Sequence, residues 1–435
     1  MFFAYSLLYT VALLVLLPYE YFRRPKGFRR RWLKERFGLT TPPSVMGDAP
    51  VVWIHAVSVG EVLSAIPLIR ELKGRYPSLC IVISTVTDTG QKLASDKISD
   101  IAYPVYLPFD LVSVLKGLMK RVRPRIFITM ETELWPNIFR VLRKEGIPIL
   151  VLNGRISDRS FNGYRKVRFF IKEVIRWVDM FCMQEEVYKK RIQELGADEH
   201  RIRVIGNFKF DTPPDTIPGW VKFLRGPVIV AGSTHEGEEE LLVSVYMKLR
   251  NAHPELNLII APRHPERFQK VEEMLGAQNL PYTKRSDMSP QSAWQEGKNN
   301  QMLSGIIIIL DTIGELAPAY GMADVAVIGG SFANHGGHNP LEPVFWARPV
   351  VCGPHMENFP FIQDFYREGA ALETSAEGLY GVLDELLSSP KKRSAMGKGA
   401  RLLYDKKAGA VQRAMAILER YLNANLPVAK EKSLP

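Results

Sequence analysis

The chain has 435 residues, which at roughly 100–200 residues per domain predicts two or three domains. It is 46% hydrophobic and 24% charged, with 32 glycines and 30 prolines, which excludes collagen-like, low-complexity and largely disordered proteins. The net charge of +11 permits nucleic acid, an anionic membrane or a phosphate-bearing substrate as partner, whereas the three separated cysteines argue against a disulfide framework or a zinc finger.

The amino-terminal segment is apolar and is followed by a basic block. Residues 1–19 contain no charged side chain, and residues 20–36 contain eight basic and two acidic residues, a net charge of +6. A 19-residue helix is about 28 Å long, close to the hydrocarbon thickness of a bilayer. We therefore predict a signal-anchor helix over residues 1–22 that spans the membrane or lies in its interface, with the remaining chain in the cytoplasm by the positive-inside rule. The alternative is a buried core helix.

Short apolar runs rich in β-branched residues then alternate with segments of helical period. These runs predict strands at residues 51–58, 80–87, 104–110, 124–131, 147–154 and 201–210. Near-continuous apolar strands separated by helices are typical of a parallel sheet that is covered on both faces. The pattern predicts one α/β domain over residues 23–210.

The pattern stops in a proline-rich stretch, which predicts a linker over residues 211–226. It restarts with strands predicted at residues 227–233, 256–264, 306–312, 324–331 and 349–354, interrupted by a polar surface excursion at 283–303. These elements predict a second α/β domain over residues 227–425. The expected fold class is therefore α/β, with two doubly wound, Rossmann-like domains facing a cleft, and ligands are expected at the carboxyl ends of the strands.

Three segments of the first domain carry candidate catalytic side chains. Glu61 follows the first strand and falls in the first turn of a helix, where a carboxylate acts as a general base or merely stabilises the helix dipole. Glu131 and Glu133 flank a threonine at another strand exit, either as a carboxylate pair that needs partners or as solvated loop acids. Lys209 lies between two phenylalanines on a predicted strand and suits a phosphate, a carboxylate or an edge strand. The pattern alone leaves these alternatives open.

The second domain has four junctions between a strand and a helix that are rich in small or basic residues. Ser233 and Thr234 offer hydroxyl donors, and Arg263 immediately follows a predicted strand, where a guanidinium binds phosphate or carboxylate. Glu315 follows a loop glycine, and Glu342 lies one turn into a helix, where its carboxylate suits two vicinal ribose hydroxyls. Each junction alone could be a glycine-rich turn, but four in one domain predict a nucleotide site.

Several motifs are absent from the sequence. It contains no G-x-x-x-x-G-K-[ST], which excludes a P-loop NTPase, no G-x-G-x-x-G and no aspartate pair of the kind that holds Mg²⁺ on a nucleotide diphosphate. His335 and His338 lie in a glycine-rich turn without a third ligand nearby in the sequence, so a zinc site is not expected. Basic residues are not interleaved with aromatic residues, so nucleic-acid binding has little support beyond net charge.

Together with the anchor and the basic block, the motifs resemble, in order and over nearly the whole chain, the 3-deoxy-D-manno-octulosonic acid (Kdo) transferases that add Kdo to the lipid A precursor. The segments that carry the resemblance are HAVSVGEV (55–62), TVTDTG (85–90), YPVYLPFD (103–110), METELWPN (130–137), NGRISDRS (153–160), GNFKFD (206–211), STHEGEE (233–239), PRHPERF (262–268), DTIGELAPAYGMADVAVIGGS (311–331) and GGHNPLEP (336–343).

This resemblance implies a GT-B glycosyltransferase that transfers Kdo from CMP-Kdo to lipid IVA at the inner-membrane surface, with inversion and without a metal or other cofactor. It implies that residues 23–210 bind the acceptor, that residues 227–425 bind the donor, and that the anchor contacts anionic inner-membrane lipids. Glu61 resembles the general base of the family, and Glu131 and Lys209 resemble its transition-state stabilisers. By the same resemblance, CMP contacts would come from Pro262, Arg263, Ile313, Gly314, Glu315, Asn339, Pro340, Leu341 and Glu342.

Two other functions stay open at this point. One is a membrane-associated GT-B glycosyltransferase that uses a UDP-sugar, and the other is a catalytically inactive nucleotide-binding membrane scaffold. The sequence does not reveal the number of Kdo residues added, the acyl-chain preference or the oligomeric state.

Overall fold

The computed structural model describes residues 1–40, 49–214, 216–288 and 303–423. The chain forms two compact units. Unit 1 comprises Met1–Thr212 together with the segment that begins at Ala408, and unit 2 comprises Pro213–Lys407.

Unit 1 is built on a parallel sheet. Its strands are β1 (Val51–His55), β2 (Cys80–Thr85), β3 (Tyr103–Tyr106), β4 (Ile126–Met130), β5 (Ile149–Gly154), β6 (Met180–Met183) and β7 (Ile202–Val204). Within the described residues their order is β3-β2-β1-β4-β5-β6-β7, so the chain reverses its winding direction where β1 pairs with β4. This is the strand order of a doubly wound fold, in which ligands bind at such a reversal.

Helices cover both faces of this sheet. They are α1 (Phe2–Phe22), α2 (Lys26–Arg36), α3 (Val59–Arg75), α4 (Asp88–Ile98), α5 (Val112–Val122), α6 (Pro136–Lys144), α7 (Asp158–Lys166), α8 (Arg168–Ile175) and α9 (Glu186–Leu195). One buried apolar cluster joins α3 and α4 to the sheet, and a second joins α5, α6, α8 and α9 to its other face. Covering both faces explains why the strands are apolar at nearly every position.

Helix α1 is not part of the core. None of its residues is buried, although one side of it packs against a small apolar cluster centred on Trp32, Tyr106 and Phe109. The alternative of a buried core helix is therefore wrong. By length and composition α1 is able to cross a membrane, with a mean hydropathy of 1.9.

Unit 2 is built on a second parallel sheet. Its strands are β8 (Val228–Thr234), β9 (Asn257–Pro262), β10 (Tyr282–Lys284), β11 (Ile307–Ile309), β12 (Val325–Ile328), β13 (Val350–Cys352) and β14 (Leu372–Glu373). In the part of unit 2 that the structure describes, their order is β10-β11-β9-β8-β12-β13-β14, and the winding reverses where β8 pairs with β12. Most of the predicted polar excursion, residues 289–302, lies outside the described residues.

Helices also pack on the sheet of unit 2, and buried side chains from four of them share one large apolar cluster with its strands. The helices of this unit are α10 (Glu238–Leu249), α11 (Phe268–Ala277), α12 (Leu316–Ala319), α13 (Leu341–Phe345), α14 (Ile362–Arg367), α15 (Leu379–Ser388) and α16 (Pro390–Lys407). The two parallel sheets, each with helices on its faces, confirm the predicted doubly wound α/β architecture.

The last helix, α17 (Ala410–Asn423), corrects the predicted domain boundaries. The sequence pattern placed it in a second domain over residues 227–425, but its apolar face, including Met415 and Leu418, joins the cluster formed by α3 and the unit 1 sheet. The carboxylate of Asp211 accepts hydrogen bonds from the backbone N–H groups of Gly409 (2.5 Å) and Val411 (2.7 Å) and so holds the start of this helix.

We expect Asp211→Ala to loosen α17 selectively. Losing a capping carboxylate costs about 0.5–2 kcal/mol, so hydrogen exchange of the α17 amides is expected to become about tenfold faster. The matched control is Asp198→Ala, which removes a cap from the exposed 3₁₀ turn Glu199–Arg201 and should leave α17 unchanged. Equal exchange rates in α17 for Asp211→Ala and the wild type would contradict this account.

One further prediction about the region after β6 was wrong. The strand expected over 201–210 ends at Val204, because the chain turns at Gly206 (φ 92°) and continues as a 3₁₀ turn over Phe208–Asp211. The linker over 211–226 stays a prediction; from Pro213 onward the chain belongs to unit 2, and Trp220 is buried.

Candidate functional site

Glu61 is held at the carboxyl end of β1 by the start of α3. Ser58 is the N-cap residue, and Glu61 is buried in the first turn. Its carboxylate accepts hydrogen bonds from the backbone N–H of Val57 (2.8 Å) and from the hydroxyl of Ser58 (3.0 Å). The side chain thus folds back over the strand exit, where it both caps the helix and faces the end of the sheet.

Glu131 follows β4, the neighbour of β1 at the reversal of the sheet. Its backbone lies in the left-handed region (φ 54°), which costs a non-glycine residue about 1–3 kcal/mol and is tolerated where the surroundings enforce it. The hydroxyl of Thr132 donates to the carbonyl of Arg155 (2.8 Å) and accepts from the backbone N–H of Arg155 (3.1 Å). This pair of bonds fixes the segment that carries Glu131 and Glu133.

Lys209 reaches the same end of the sheet from the 3₁₀ turn rather than from a strand. The side-chain oxygen of Asn207 caps this turn by accepting from the N–H of Lys209 (3.0 Å), and that of Asn153 accepts from the N–H of Phe208 (3.1 Å). Gln184 donates to the carbonyl of Asn153 (2.9 Å) and accepts from the side chain of Asn207 (3.1 Å). Buried amides therefore position the lysine.

Glu61, Glu131 and Glu133 interact electrostatically and are called the acidic cluster here. Lys209 and Arg155 are the cations of this cluster. Burial, together with repulsion from Glu131 and Glu133, raises the pKa of Glu61 to about 8 against the opposing effect of the hydrogen bonds from Val57 and Ser58. Burial also raises the pKa of Glu131, which Lys209 and Arg155 partly offset. The pKa of Glu133 is raised by burial and by Glu131, and that of Lys209 is lowered by burial.

Such a cluster suits general base chemistry. A carboxyl whose pKa lies near the working pH takes up a proton more readily than an ordinary surface glutamate. A carboxylate and an ammonium beside it can stabilise opposite charges that develop in a transition state. The structure thus brings together Glu61, Glu131 and Lys209, which the sequence had placed on three separate segments.

In unit 2 the equivalent reversal of the sheet is organised by a buried glutamate. The carboxylate of Glu238, in the first turn of α10, accepts backbone N–H bonds from His235 (2.9 Å), Gly330 (2.7 Å), Phe332 (2.9 Å) and Ala333 (3.1 Å). A Cβ at neighbouring Gly329 would lie 2.3 Å from the carbonyl oxygen of Ser233, so the chain can pass here only as glycine. The loops after β8 and β12 are thereby joined.

Histidines cluster beside these loops. The Nε2 atoms of His235 and His338 are 2.8 Å apart, so one ring donates to the other, and the ring of His335 stacks on His235 at 4.0 Å. Burial and the neighbouring Arg263 lower the pKa of His338 to about 4. The sequence did not reveal that His235 lies beside His335 and His338. Among the described residues, however, no group of three or more His, Cys, Asp or Glu residues could hold a metal ion.

Arg263 and Glu342 occupy this same side of unit 2. Arg263 is exposed directly after β9, whose last residue is the buried Pro262. Burial raises the pKa of Glu342 to about 7, against the opposing effects of Asn339 and Arg263. The side chain of Asn339 donates to Glu342 (3.3 Å) and accepts from the N–H of Leu341 (3.2 Å), so this segment is ordered by its own side chains.

The remaining predicted CMP contacts are placed as follows. Ile313 is 87% exposed, and Gly314 has a positive φ of 92°. The carboxylate of Glu315 is engaged by the guanidinium of Arg285 (2.9 Å), which leaves the backbone of this loop as its available surface. Pro340 is the N-cap residue of α13, and the side chain of Leu341 is buried, so both can offer only backbone groups or an apolar edge.

The hydroxyls predicted to bind phosphate are not equivalent. Thr234 is fully buried, and its hydroxyl donates to the buried Glu239 (3.0 Å), which corrects the expectation that it faces a ligand. Ser233 is partly exposed and has a left-handed backbone (φ 58°).

Comparisons with known proteins identify the family. A sequence profile described as 3-deoxy-D-manno-octulosonic-acid transferase (kdotransferase) matches residues 31–212. A 3-deoxy-D-manno-octulosonic acid transferase of Haemophilus influenzae is 33% identical over 410 residues, 91% of this chain and 93% of that protein. This chain belongs to the Kdo transferase family.

A solved structure with a TM-score above 0.5 agrees with the fold. A glycosyltransferase from Rickettsia africae covers 86% of this chain and 99% of its own, with a TM-score of 0.56 at 15% identity, which shows the GT-B-like fold alone. The C-terminal CMP-Kdo binding domain of WaaA from Acinetobacter baumannii is 31% identical, covers 41% of this chain and 89% of its own, and has a TM-score of 0.36.

Two residues near the candidate sites were missed in the sequence analysis. Arg155 carries no distinguishing pattern except that it follows strand β5, the strand beside β4. Glu238 is one of three acids at a helix start, and three of its four backbone partners come from the distant loop after β12. The one signal in the sequence that could have found Arg155 and Glu238 is that each follows the end of a strand.

We expect Glu238→Gln to weaken nucleotide binding by this Kdo transferase about tenfold or more. The amide places an NH₂ group against backbone N–H donors, and a buried donor without an acceptor costs about 1–3 kcal/mol. The measurement is the dissociation constant for CMP by titration calorimetry. Glu240→Gln, two residues along the same helix, has an exposed capping contact to Gly237 and serves as the control. Equal affinities of both variants would contradict the organising role.

Proposed function

We propose that this member of the Kdo transferase family transfers Kdo from CMP-Kdo to lipid IVA, the bisphosphorylated lipid A precursor. The observation that carries the proposal is the convergence of Glu61, Glu131 and Lys209 at the reversal of the unit 1 sheet. Kdo transfer in lipopolysaccharide synthesis follows from the family, whereas the acceptor and the stereochemistry belong to the proposal.

In the proposed reaction, ionised Glu61 takes the proton from the acceptor sugar hydroxyl as its oxygen attacks the anomeric C2 of Kdo. The new C–O bond forms as the bond from C2 to the phosphate oxygen of CMP breaks, and CMP leaves with the bonding electron pair. One in-line displacement inverts the anomeric centre. Glu131 opposes the positive charge of the oxocarbenium-like state, and Lys209 opposes the negative charge of the departing group.

Unit 2 is proposed to bind the donor. Arg263 is a cation suited to the single phosphate of CMP, and Glu342 is a carboxylate suited to the ribose hydroxyls. A leaving group with one phosphate develops less charge than a diphosphate, so we propose that these protein groups suffice without a metal. A chelator added after the donor has formed is therefore expected to leave the transfer rate unchanged.

The proposed place of the reaction is the cytoplasmic surface of the inner membrane. The apolar helix α1 and the basic residues 23–36 support it, since a lipid phosphodisaccharide is presented to the enzyme at an anionic bilayer surface.

The experiment is a transfer assay with lipid IVA and CMP-Kdo made in situ, read by mass spectrometry of the lipid. A mass increase of one or more whole Kdo units is expected, and it also counts the residues added. UDP-sugars offered in parallel test the alternative donor class. No mass shift with CMP-Kdo, beside an active control enzyme, would overturn the proposal.

A further inference from the structure

Helix α1 turns its polar side chains toward unit 1. The hydroxyl of Tyr5 donates to the carboxylate of the buried Asp110 (2.8 Å), and that of Tyr9 accepts from the N–H of Asp110 (3.1 Å). The hydroxyl of Ser6 bonds the side-chain amide of Asn137 (3.0 Å). The polar side of the helix is therefore satisfied by protein partners rather than by water.

This contact extends along the whole helix. At its start the ring of Phe2 lies 5.0 Å from that of Phe170 and 4.8 Å from that of Trp177. At its end Leu13, Leu17 and Tyr21 pack against the cluster of Trp32, Tyr106 and Phe109. A helix of 21 residues is about 31 Å long. The rest of unit 1 therefore contacts α1 over a length close to the thickness of a bilayer's hydrocarbon core.

The opposite side of α1 is apolar and exposed. Its outward side chains include Phe3 (81% exposed), Leu8 (70%), Leu14 (68%), Val15 (70%), Tyr19 (65%) and Phe22 (65%). The side of α1 that faces the body carries the polar residues Tyr5, Ser6 and Tyr9 as well as apolar ones, whereas its outward side chains are almost all apolar. Apolar surface of this kind is unfavourable in water, so an apolar medium is its natural environment.

Cations and further apolar side chains border this face at both ends. Near the end of α1, α2 exposes Lys26, Phe28 and Arg30. Near its start, the junction of α7 and α8 beside Phe170 exposes Arg168 and Phe169. An apolar strip flanked by exposed Lys and Arg complements an anionic lipid surface, to which each of these cations is attracted.

A spanning arrangement conflicts with these contacts. If α1 crossed the bilayer, the parts of unit 1 bound along it would enter the hydrocarbon, including Asp110 and Arg140, whose guanidinium lies 5.6 Å from the ring centre of Phe2. A charged side chain at that depth costs several kcal/mol. If α1 spanned the bilayer while the rest of unit 1 stayed outside it, the hydrogen bonds of Tyr5, Ser6 and Tyr9 to the rest of unit 1 would break.

We infer that α1 lies in the plane of the membrane and does not span it. Its outward face inserts at the boundary of headgroups and acyl chains of an anionic bilayer, and Met1 stays on the same side as both units. The inference rests on the proposed function at the membrane surface. Of the spanning and interfacial orientations that the sequence left open for the anchor, it selects the interfacial one.

The first test locates the amino end. A single cysteine is placed in a short hydrophilic extension before Met1 of the full chain, whose own Cys80, Cys182 and Cys352 are buried. A membrane-impermeant maleimide is expected to label it in inverted inner-membrane vesicles and not in sealed cells with a permeabilised outer membrane. Labelling from the outer side alone would show a spanning helix and overturn the inference.

The second test measures binding to vesicles. The double variant Leu8→Glu and Val15→Glu is expected to bind vesicles containing an anionic phospholipid at least tenfold more weakly than the wild type. Leu402→Glu changes another exposed leucine (71% exposed), on α16, and is the control. Vesicle binding by the double variant equal to that of the wild type would overturn the inference.

These outcomes are separable from the proposed function. Wild-type transfer to detergent-dispersed lipid IVA reports the reaction without requiring any membrane orientation. Failure of that assay would leave the labelling and vesicle results intact, and failure of those would leave the transfer reaction intact.

Discussion

Replacing Glu61 with glutamine is expected to reduce Kdo transfer by about 10²–10⁴-fold, the usual contribution of a general base. The amide keeps the size of the side chain and can still accept from Val57 or Ser58, so α3 should start at the same residue. The dissociation constant for CMP is expected to stay within about twofold, because the donor residues proposed lie in unit 2.

The pH dependence gives this prediction a second readout. Burial raises the pKa of Glu61 to about 8, so at pH 7 only about a tenth of the carboxyl is in the ionised form that accepts a proton. The wild-type rate at saturating donor should therefore rise with pH and level off above about 8. The residual rate of the glutamine variant should not show this rise.

The control is Glu71→Gln on the same helix, where the carboxylate pairs with Arg75 at the surface. It should retain full activity. A fully active Glu61→Gln variant would remove Glu61 from the role of base and direct attention to Glu131 and Glu133.

Lys209→Met is expected to lower transfer by about 10²–10³-fold, the range found when an electrostatic stabiliser of a transition state is removed. Methionine preserves most of the side-chain volume but leaves Glu131 and Glu133 without this cation. The pKa of Glu131 then rises, because only Arg155 still opposes the effect of burial, and since Glu131 is proposed to act in its ionised form, the rise of the pH profile moves to higher pH.

Lys209→Arg should restore a substantial part of the rate and return the pH profile toward that of the wild type. Lys190→Met, an exposed lysine on α9, is the matched control and should behave as wild type. A Lys209→Met variant with a slow rate but an unshifted pH profile would indicate a merely structural role for the lysine.

The fold was largely predictable because its strands are buried on both faces. Continuous apolar runs such as β1 and β4 indicate parallel strands regardless of tertiary detail. The position of α17 was not predictable, because an amphipathic helix shows that it has an apolar face but not which sheet that face covers. The turn that carries Lys209 was mistaken for a strand, since Phe208 and Phe210 are both buried in a 3₁₀ turn while mimicking period-two alternation.

The candidate site was predictable in part for the same reason. Strand ends on neighbouring strands meet, so Glu61 after β1 and Glu131 after β4 were natural partners once the strand order was known. The choice of Glu131 over Glu133 came from the family resemblance, and both side chains belong to the acidic cluster. Arg155 and Glu238 act through backbone and charge contacts that join distant segments, and a single sequence does not encode those distances visibly.

The return of α17 to unit 1 affects the order in which the chain can mature. During synthesis the first 212 residues leave the ribosome long before Ala410, while all of unit 2 is made in between. The amino-terminal unit, although made first, is therefore completed last, and until then α3 leaves uncovered the apolar side chains that α17 covers. A nascent chain stopped near residue 407 would hold a complete unit 2 and an unfinished unit 1, so late truncation harms the amino-terminal half of the protein.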